Sequence, residues 1–145
     1  MQNQSTMLNL GYLGLLPFIA GLVLAIMDQS LLGMSGEKLF VTYSAIILSF
    51  LSGVMWGSVL DHFAEKKTKV ALILSNAFAL LAWGALLIAN LQLAILLLAI
   101  GFIAVWFCEK QSRQALQQTQ PAAYQTLRFR LTAGVVLMHI VLFLI

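Results

Sequence analysis

Residues 70–108 read VALILSNAFALLAWGALLIANLQLAILLLAIGFIAVWFC, without one Asp, Glu, Lys or Arg. A surface helix of a soluble domain carries a charged face, and this run has none. At about 1.5 Å of rise per residue, about 20 apolar residues cross a hydrocarbon core about 30 Å thick. The stretch therefore holds two crossings, about 70–89 and 91–108, folded back on each other at Asn90 as a tight antiparallel hairpin. Backbone amides in lipid need partners within the chain, and long uninterrupted apolar runs supply them as helices, whereas barrel strands would alternate.

Outward from this hairpin, similar runs occupy about 8–27, 39–60 and 127–145. Composition agrees, since 61% of the 145 residues are hydrophobic and 9% are charged, more apolar surface than a soluble domain of this length can hide. The expected fold is all-α, a single membrane domain over residues 1–145 built as an integral bundle of five transmembrane helices. The leader MQNQSTMLN has no Lys or Arg to make the basic region of a secretory signal, and the first run has the length of a true span, so it is read as a retained helix.

When five spans alternate across the membrane, Lys66, Lys67, Lys69, Lys110, Arg113, Arg128 and Arg130 fall on the side of the amino terminus, and only Lys38 falls on the other. The positive-inside rule then puts the amino terminus in the cytoplasm and the carboxyl terminus outside. The net charge of +3 is explained by basic side chains beside anionic lipid headgroups, with the bilayer as partner and no nucleic acid. The single thiol, Cys108, cannot form an internal disulfide; it reads as a small apolar filler, with palmitoylation or redox sensing as alternatives.

Between the first two spans, DQSLLGMSGEK (28–38) reads as a turn region with a fragment of interfacial helix. EKQSRQALQQTQ (109–120) is rich in helix formers, so the fourth helix should run on past the headgroups for two or three turns. Pro121 must interrupt it, and suits the first turn of a new helix that carries Tyr124, Arg128 and Arg130 into the interface. The Gln-rich connector is a solvated link, or else a contact site for a partner.

ILSFLSGVMWGSVLDH (47–62) is as apolar as a span yet crowded with small residues. Ala45, Ser49, Gly53 and Gly57 recur at every fourth position and so lie along one stripe of the second helix. Such small-xxx-small spacing lets another backbone approach closely, within the chain or between chains. Ser44 and Ser52 lie off this stripe, and their hydroxyls can bond back to the preceding turn. Pro17, in GYLGLLPFIAG, removes an amide donor near mid-membrane and should kink the first helix at the Leu13 carbonyl. That carbonyl serves either a packing kink or a polar pocket of the kind broken helices make.

Groups that are costly in lipid are few. Asp28, Asp61 and Glu109 fall at helix ends, where headgroup water can reach them, so no relay of buried carboxylates is expected. His139 is the only ionisable group well inside a span; it either donates to a neighbouring carbonyl or contacts a ligand such as a quinone. His62 lies at the cytoplasmic end of the second span, too far along the rise from His139 for the two to share a haem iron. No His, Cys or Glu spacing suggests a metal site. Trp106 sits where an interfacial anchor belongs. Trp56 and Trp83 lie deeper, where indole N–H groups want partners, and Asn76 can supply hydrogen bonds there, in a core network or an aromatic-walled pocket.

LGYLGLLPF at the start, YSAIILSFLSGVMWG in the second helix, LLAWGALL in the third and YQTLRFRLT before the fifth resemble a small inner-membrane family of bacteria and mitochondria that carries a domain-of-unknown-function name. The resemblance, to small mitochondrial transmembrane proteins among others, covers nearly the whole chain and is most specific over 43–57. Ser52 departs from it where glycine is usual, and Gln125 where arginine is common. The resemblance implies a fold and a location, the inner membrane of a bacterial cell, which would put the outer carboxyl terminus in the periplasm; it implies no activity.

Packing devices outnumber reactive groups. The first functional reading is a structural, accessory or assembly factor for a larger membrane complex, acting on a membrane-protein partner or as a homo-oligomer, without a cofactor. The second is binding or transport of a small lipophilic molecule, a quinone or lipid, in an intramembrane pocket of Pro17, Tyr43, Trp56, Asn76, Trp83 and His139. The third, an enzyme acting through Asp61 and His62, has least support, because adjacent helix positions point in different directions.

Overall fold

The computed structural model describes residues 2–145. Five of the described helical segments are long and apolar enough to cross a membrane, which makes the chain an all-α, multi-pass membrane protein. The elements are α1 (Gln2–Leu13), α2 (Leu16–Ile26), β1 (Ser30–Leu31), β2 (Met34–Ser35), α3 (Gly36–Ser58), a 3-10 turn (Leu60–His62), α4 (Lys66–Leu87), α5 (Leu91–Ala115) and α6 (Ala122–Leu144). α3 packs on α2, α4 and α5, and α6 closes the bundle against α5, α2 and α1.

α1 and α2 together make the first span, broken rather than kinked. Pro17 sits in the first turn of α2, where its missing N–H is no loss. The break at Gly14 and Leu15 frees carbonyls, and the Tyr43 hydroxyl donates to that of Gly14 at 2.8 Å. The carbonyl put to use is thus Gly14's, while Pro17 itself faces outward.

The 28–38 segment contains no interfacial helix. β1 and β2 pair antiparallel, Ser30 opposite Ser35 and Leu31 opposite Met34. Leu32 and Gly33 turn the hairpin at φ of +55° and +77°, the left-handed pair that a two-residue hairpin turn demands. Ser35 then caps α3, its hydroxyl accepting from the Lys38 amide. At the top of α3, Gly36 lies so close to the Leu24 and Ala25 backbone that a Cβ there would collide with it, and a Cβ on Gly21 would stand 3.1 Å from the Phe40 backbone. Close approach of helices inside this chain happens here, between α2 and α3.

The small-residue stripe of α3 does not do that work within the chain. Ala45 is buried, but Ser49, Gly53 and Gly57 are exposed, and a Cβ on either glycine would meet open space. The buried face of α3 is instead Phe40, Val41, Ser44, Ala45, Leu48, Ser52 and Met55. This face covers less than half the helix circumference, and the two glycines project away from it.

α5 runs for 25 residues, about 37 Å at the usual rise, so its last turns outrun a bilayer core of about 30 Å. Asn90 caps its start by accepting from the Leu93 amide, and Gln117 ends it at φ +54°, with the Gln118 amide donating to the Arg113 carbonyl at 2.9 Å. Pro121 caps α6. The Gln118 side chain ties the connector to the end of α3 by donating to the Ser58 carbonyl, and it lies 3.3 Å from His62 Nδ1. Those contacts bring the second and fourth loops together at one basic end of the bundle.

Candidate functional site

The buried face of α5 passes through Leu98, Phe102 and Val105 and then arrives at Glu109 and Arg113. That of α6 passes through Arg128, Thr132, Val135 and His139. Helical period alone therefore turns charged and polar groups into the bundle near its basic end. Glu109 is 3% exposed, which corrects its expected place among solvated helix-end carboxylates. Arg128 donates to its Oε2 from Nε at 3.1 Å and from Nη2 at 2.7 Å, and the Tyr124 hydroxyl donates to Oε1 at 3.0 Å. Arg113 Nη2 lies 3.4 Å from Oε1, and Arg113 Nη1 donates to Gln120 Oε1 at 2.8 Å.

Arg113 and Arg128 are thus buried, at 8% and 5% exposure, rather than laid among headgroups. The remaining basic residues, Lys66, Lys67, Lys69, Lys110 and Arg130, are exposed as expected. Lys110 stands over the Trp106 ring, 5.4 Å from its centroid, and Arg130 Nη1 donates to the Tyr12 hydroxyl at 3.4 Å. The core of the cluster is two guanidiniums on one carboxylate, an excess of one positive charge in a poorly hydrated place. Arginine cannot shed that charge, so the surroundings must balance it.

A second polar pair lies deeper. His139 is fully buried; its Nδ1 is 2.7 Å from the Val135 carbonyl and its Nε2 is 2.6 Å from Ser44 Oγ. A carbonyl only accepts, so Nδ1 carries hydrogen, and Nε2 of the neutral ring accepts from Ser44. Phe40, Phe102 and Phe18 surround the imidazole at ring distances of 4.7, 5.4 and 6.0 Å. Both nitrogens are engaged within the chain. Ser52 does bond back to its own helix, at the Ser49 carbonyl, but Ser44 is the partner of His139. Among the described residues, no group of three or more His, Cys, Asp or Glu side chains comes together.

The six residues expected around one pocket do not converge. Tyr43 and His139 belong to the aromatic core through Phe18. Pro17 and Trp83 face outward and stand apart. Trp56 and Asn76 meet on the outer face, where α3 and α4 flank a shallow trough. One part of it, about 700 Å³, is lined by Trp56, Phe63, Thr68, Lys69, Leu72 and Asn76; the adjoining part, about 260 Å³, is lined by Ser49, Ser52, Gly53, Trp56, Ser75 and Asn76. Asn76 does not reach an indole, because its amide donates to the Leu72 carbonyl one turn back, at 2.9 Å.

A smaller crevice of about 160 Å³ lies at the break between α1 and α2, among Gly11, Gly14, Phe18, Leu51, Phe102, Arg128 and Thr132. Its apolar wall ends on the charged cluster. The break near Pro17 pointed to a polar pocket at this place, but nothing in the spacing of single residues pointed to its lining from α6 or to a buried Glu109. The usable signal was the core period of the fourth and fifth spans, continued past their apolar ends.

No curated protein and no solved structure matches the chain. Residues 3–144 match the family described as a protein of unknown function, DUF3429, and the chain belongs to that family.

Proposed function

We propose that the protein is an accessory or assembly factor of a larger membrane complex, and that the trough between α3 and α4 receives one transmembrane helix of a partner protein. The observation that carries this reading is the outward stripe of Ser49, Gly53 and Gly57 beside exposed Asn76 and Trp56. Apolar faces have no drive to associate in lipid; close backbone approach and interhelical hydrogen bonds supply it. Asn76 has one amide hydrogen and its carbonyl oxygen left over after the Leu72 bond, and exposing such a group to hydrocarbon is unfavourable. A helix with a small-residue face and an amide or hydroxyl at that level satisfies both. A second copy would set one hollow against another in a two-fold pair and leave the space unfilled.

The test is a photo-cross-linker in place of Ala77, which lines the trough, in intact membranes. A discrete adduct heavier than one chain, of unequal partners and lost in Gly53→Leu, supports the reading. An adduct of two identical chains, or one unaffected by Gly53→Leu, overturns it.

We further place the protein in the inner membrane of a bacterial cell, as the family resemblance implies, with the amino terminus in the cytoplasm and the carboxyl terminus in the periplasm, on seven basic residues at one end against Lys38 at the other. In a Cys108→Ala background, a membrane-impermeant maleimide applied from outside should label Ser30→Cys and spare Thr119→Cys. The reverse pattern inverts the topology.

A further inference from the structure

We infer that the crevice at the α1–α2 break binds an amphiphile with an oxyanion head, its alkyl chain against the apolar wall and its head on Arg128 and Thr132. Three observations meet there. The first is charge, since Glu109 faces two buried guanidiniums and leaves the cluster one negative charge short. The second is hydrogen bonding. Arg128 Nη1 carries two hydrogens, and its one partner is Thr132 Oγ1 at 3.4 Å, longer than a good bond. Among the described residues the Thr132 hydroxyl donates to no partner, although Thr132 is 8% exposed. Both residues line the crevice, so the spare hydrogens of two already bonded groups, Arg128 Nη1 and Thr132 Oγ1, stand where an acceptor could enter.

The third observation is access. Leu10, at the rim, is 64% exposed, which places the rim of the crevice at the lipid-facing surface. Arg128 lies six residues into α6, about 9 Å from its start. A molecule already lying in the leaflet at the basic end can reach that depth with its head, whereas a water-soluble anion would have to cross apolar wall. A carboxylate or a phosphate ester supplies the missing charge and accepts from both donors. A carbonyl or hydroxyl head does not supply the charge. This site is separate from the α3–α4 trough and stands or falls independently of partner docking.

The experiment uses the full chain in phosphatidylcholine nanodiscs with diazirine-bearing oleic acid, oleyl alcohol and phosphatidylglycerol as probes, adducts being mapped by peptide mass spectrometry. Adducts on residues 10–15 and 131–135 from the oleic acid or the phosphatidylglycerol probe are expected, at least about tenfold over the alcohol. Labelling by the acid alone identifies a free fatty acid, and labelling by the glycerolipid identifies a phospholipid headgroup. Thr132→Val, which keeps the shape and removes the hydroxyl, should reduce labelling about fivefold. Leu10→Trp, at an exposed rim position, should abolish it without touching the buried cluster. Equal labelling by the alcohol, no labelling of these residues, or full labelling in Leu10→Trp overturns the inference.

Discussion

Glu109→Gln isolates what the buried cluster contributes. The carboxylate receives two hydrogen bonds from Arg128, at 2.7 and 3.1 Å, one from Tyr124 at 3.0 Å and a longer contact from Arg113 at 3.4 Å. Glutamine keeps one acceptor oxygen but brings an NH2 group among two guanidiniums that only donate, with the Tyr124 hydroxyl as its one neighbouring acceptor. It also leaves two guanidiniums without a counter-charge at 5% and 8% exposure. Removing one partner from a buried pair costs about 3–5 kcal/mol, and the two arginines put this case toward the upper end of that range. Partial hydration at the end of the bundle pulls the other way, so about 3–4 kcal/mol is expected.

The assay is equilibrium unfolding of the purified chain in mixed micelles, followed by the reactivity of Cys108, the only cysteine, which is half-buried one position from Glu109. Arg128→Met alone should also destabilise, and the double variant Glu109→Gln with Arg128→Met should recover at least about 2 kcal/mol of the summed loss, because it removes both charges of the short pair and leaves only Arg113 without its counter-charge. A loss below about 1 kcal/mol for Glu109→Gln, or strict additivity in the cycle, would show that the ion pair is solvated and refute the reasoning.

Ser44→Ala leaves His139 Nε2 without a donor inside a ring of phenylalanines, and should cost about 1–2 kcal/mol in the same unfolding assay. Tyr43→Phe removes the hydroxyl that holds the Gly14 carbonyl; the expected change is faster amide exchange around residues 14–19, with a loss of about 1 kcal/mol. Gly36→Leu drives a side chain into the α2 backbone and should prevent stable folding, whereas Gly53→Leu, with open space around it, should unfold within about 0.5 kcal/mol of the parent. If the two glycine variants proved equally damaging, the assignment of inner and outer faces of α3 would be wrong.

Several features of the fold were legible in the residues. The hairpin at Asn90, the run of α5 beyond the membrane and the restart of a helix after Pro121 all follow from apolar length, helix propensity and proline's missing amide. The break in the first span was anticipated at Pro17, though the structure spreads it over Gly14 and Leu15 and satisfies the Gly14 carbonyl from α3. The hairpin of β1 and β2 was not read, because a left-handed Leu32 gives no compositional sign. The candidate site was legible only as parts. Glu109, Arg113 and Arg128 were visible as charges near span ends, but which way each pointed depended on helix phase.

The same distinction runs through the whole chain. Run length and charge placement alone established five crossings and a basic end, because the cost of burying charge or unpaired amides in hydrocarbon depends on composition and hardly on neighbours. Which face of each helix looks inward was decided only by tertiary contact. In water, apolar residues mark the inner face; in a bilayer both faces are apolar, and hydropathy loses its sidedness. Gly53 and Gly57 therefore read equally well as packing residues within the chain or between chains and proved to face outward, while Ser44 and Glu109, the more polar choices, were the ones turned in.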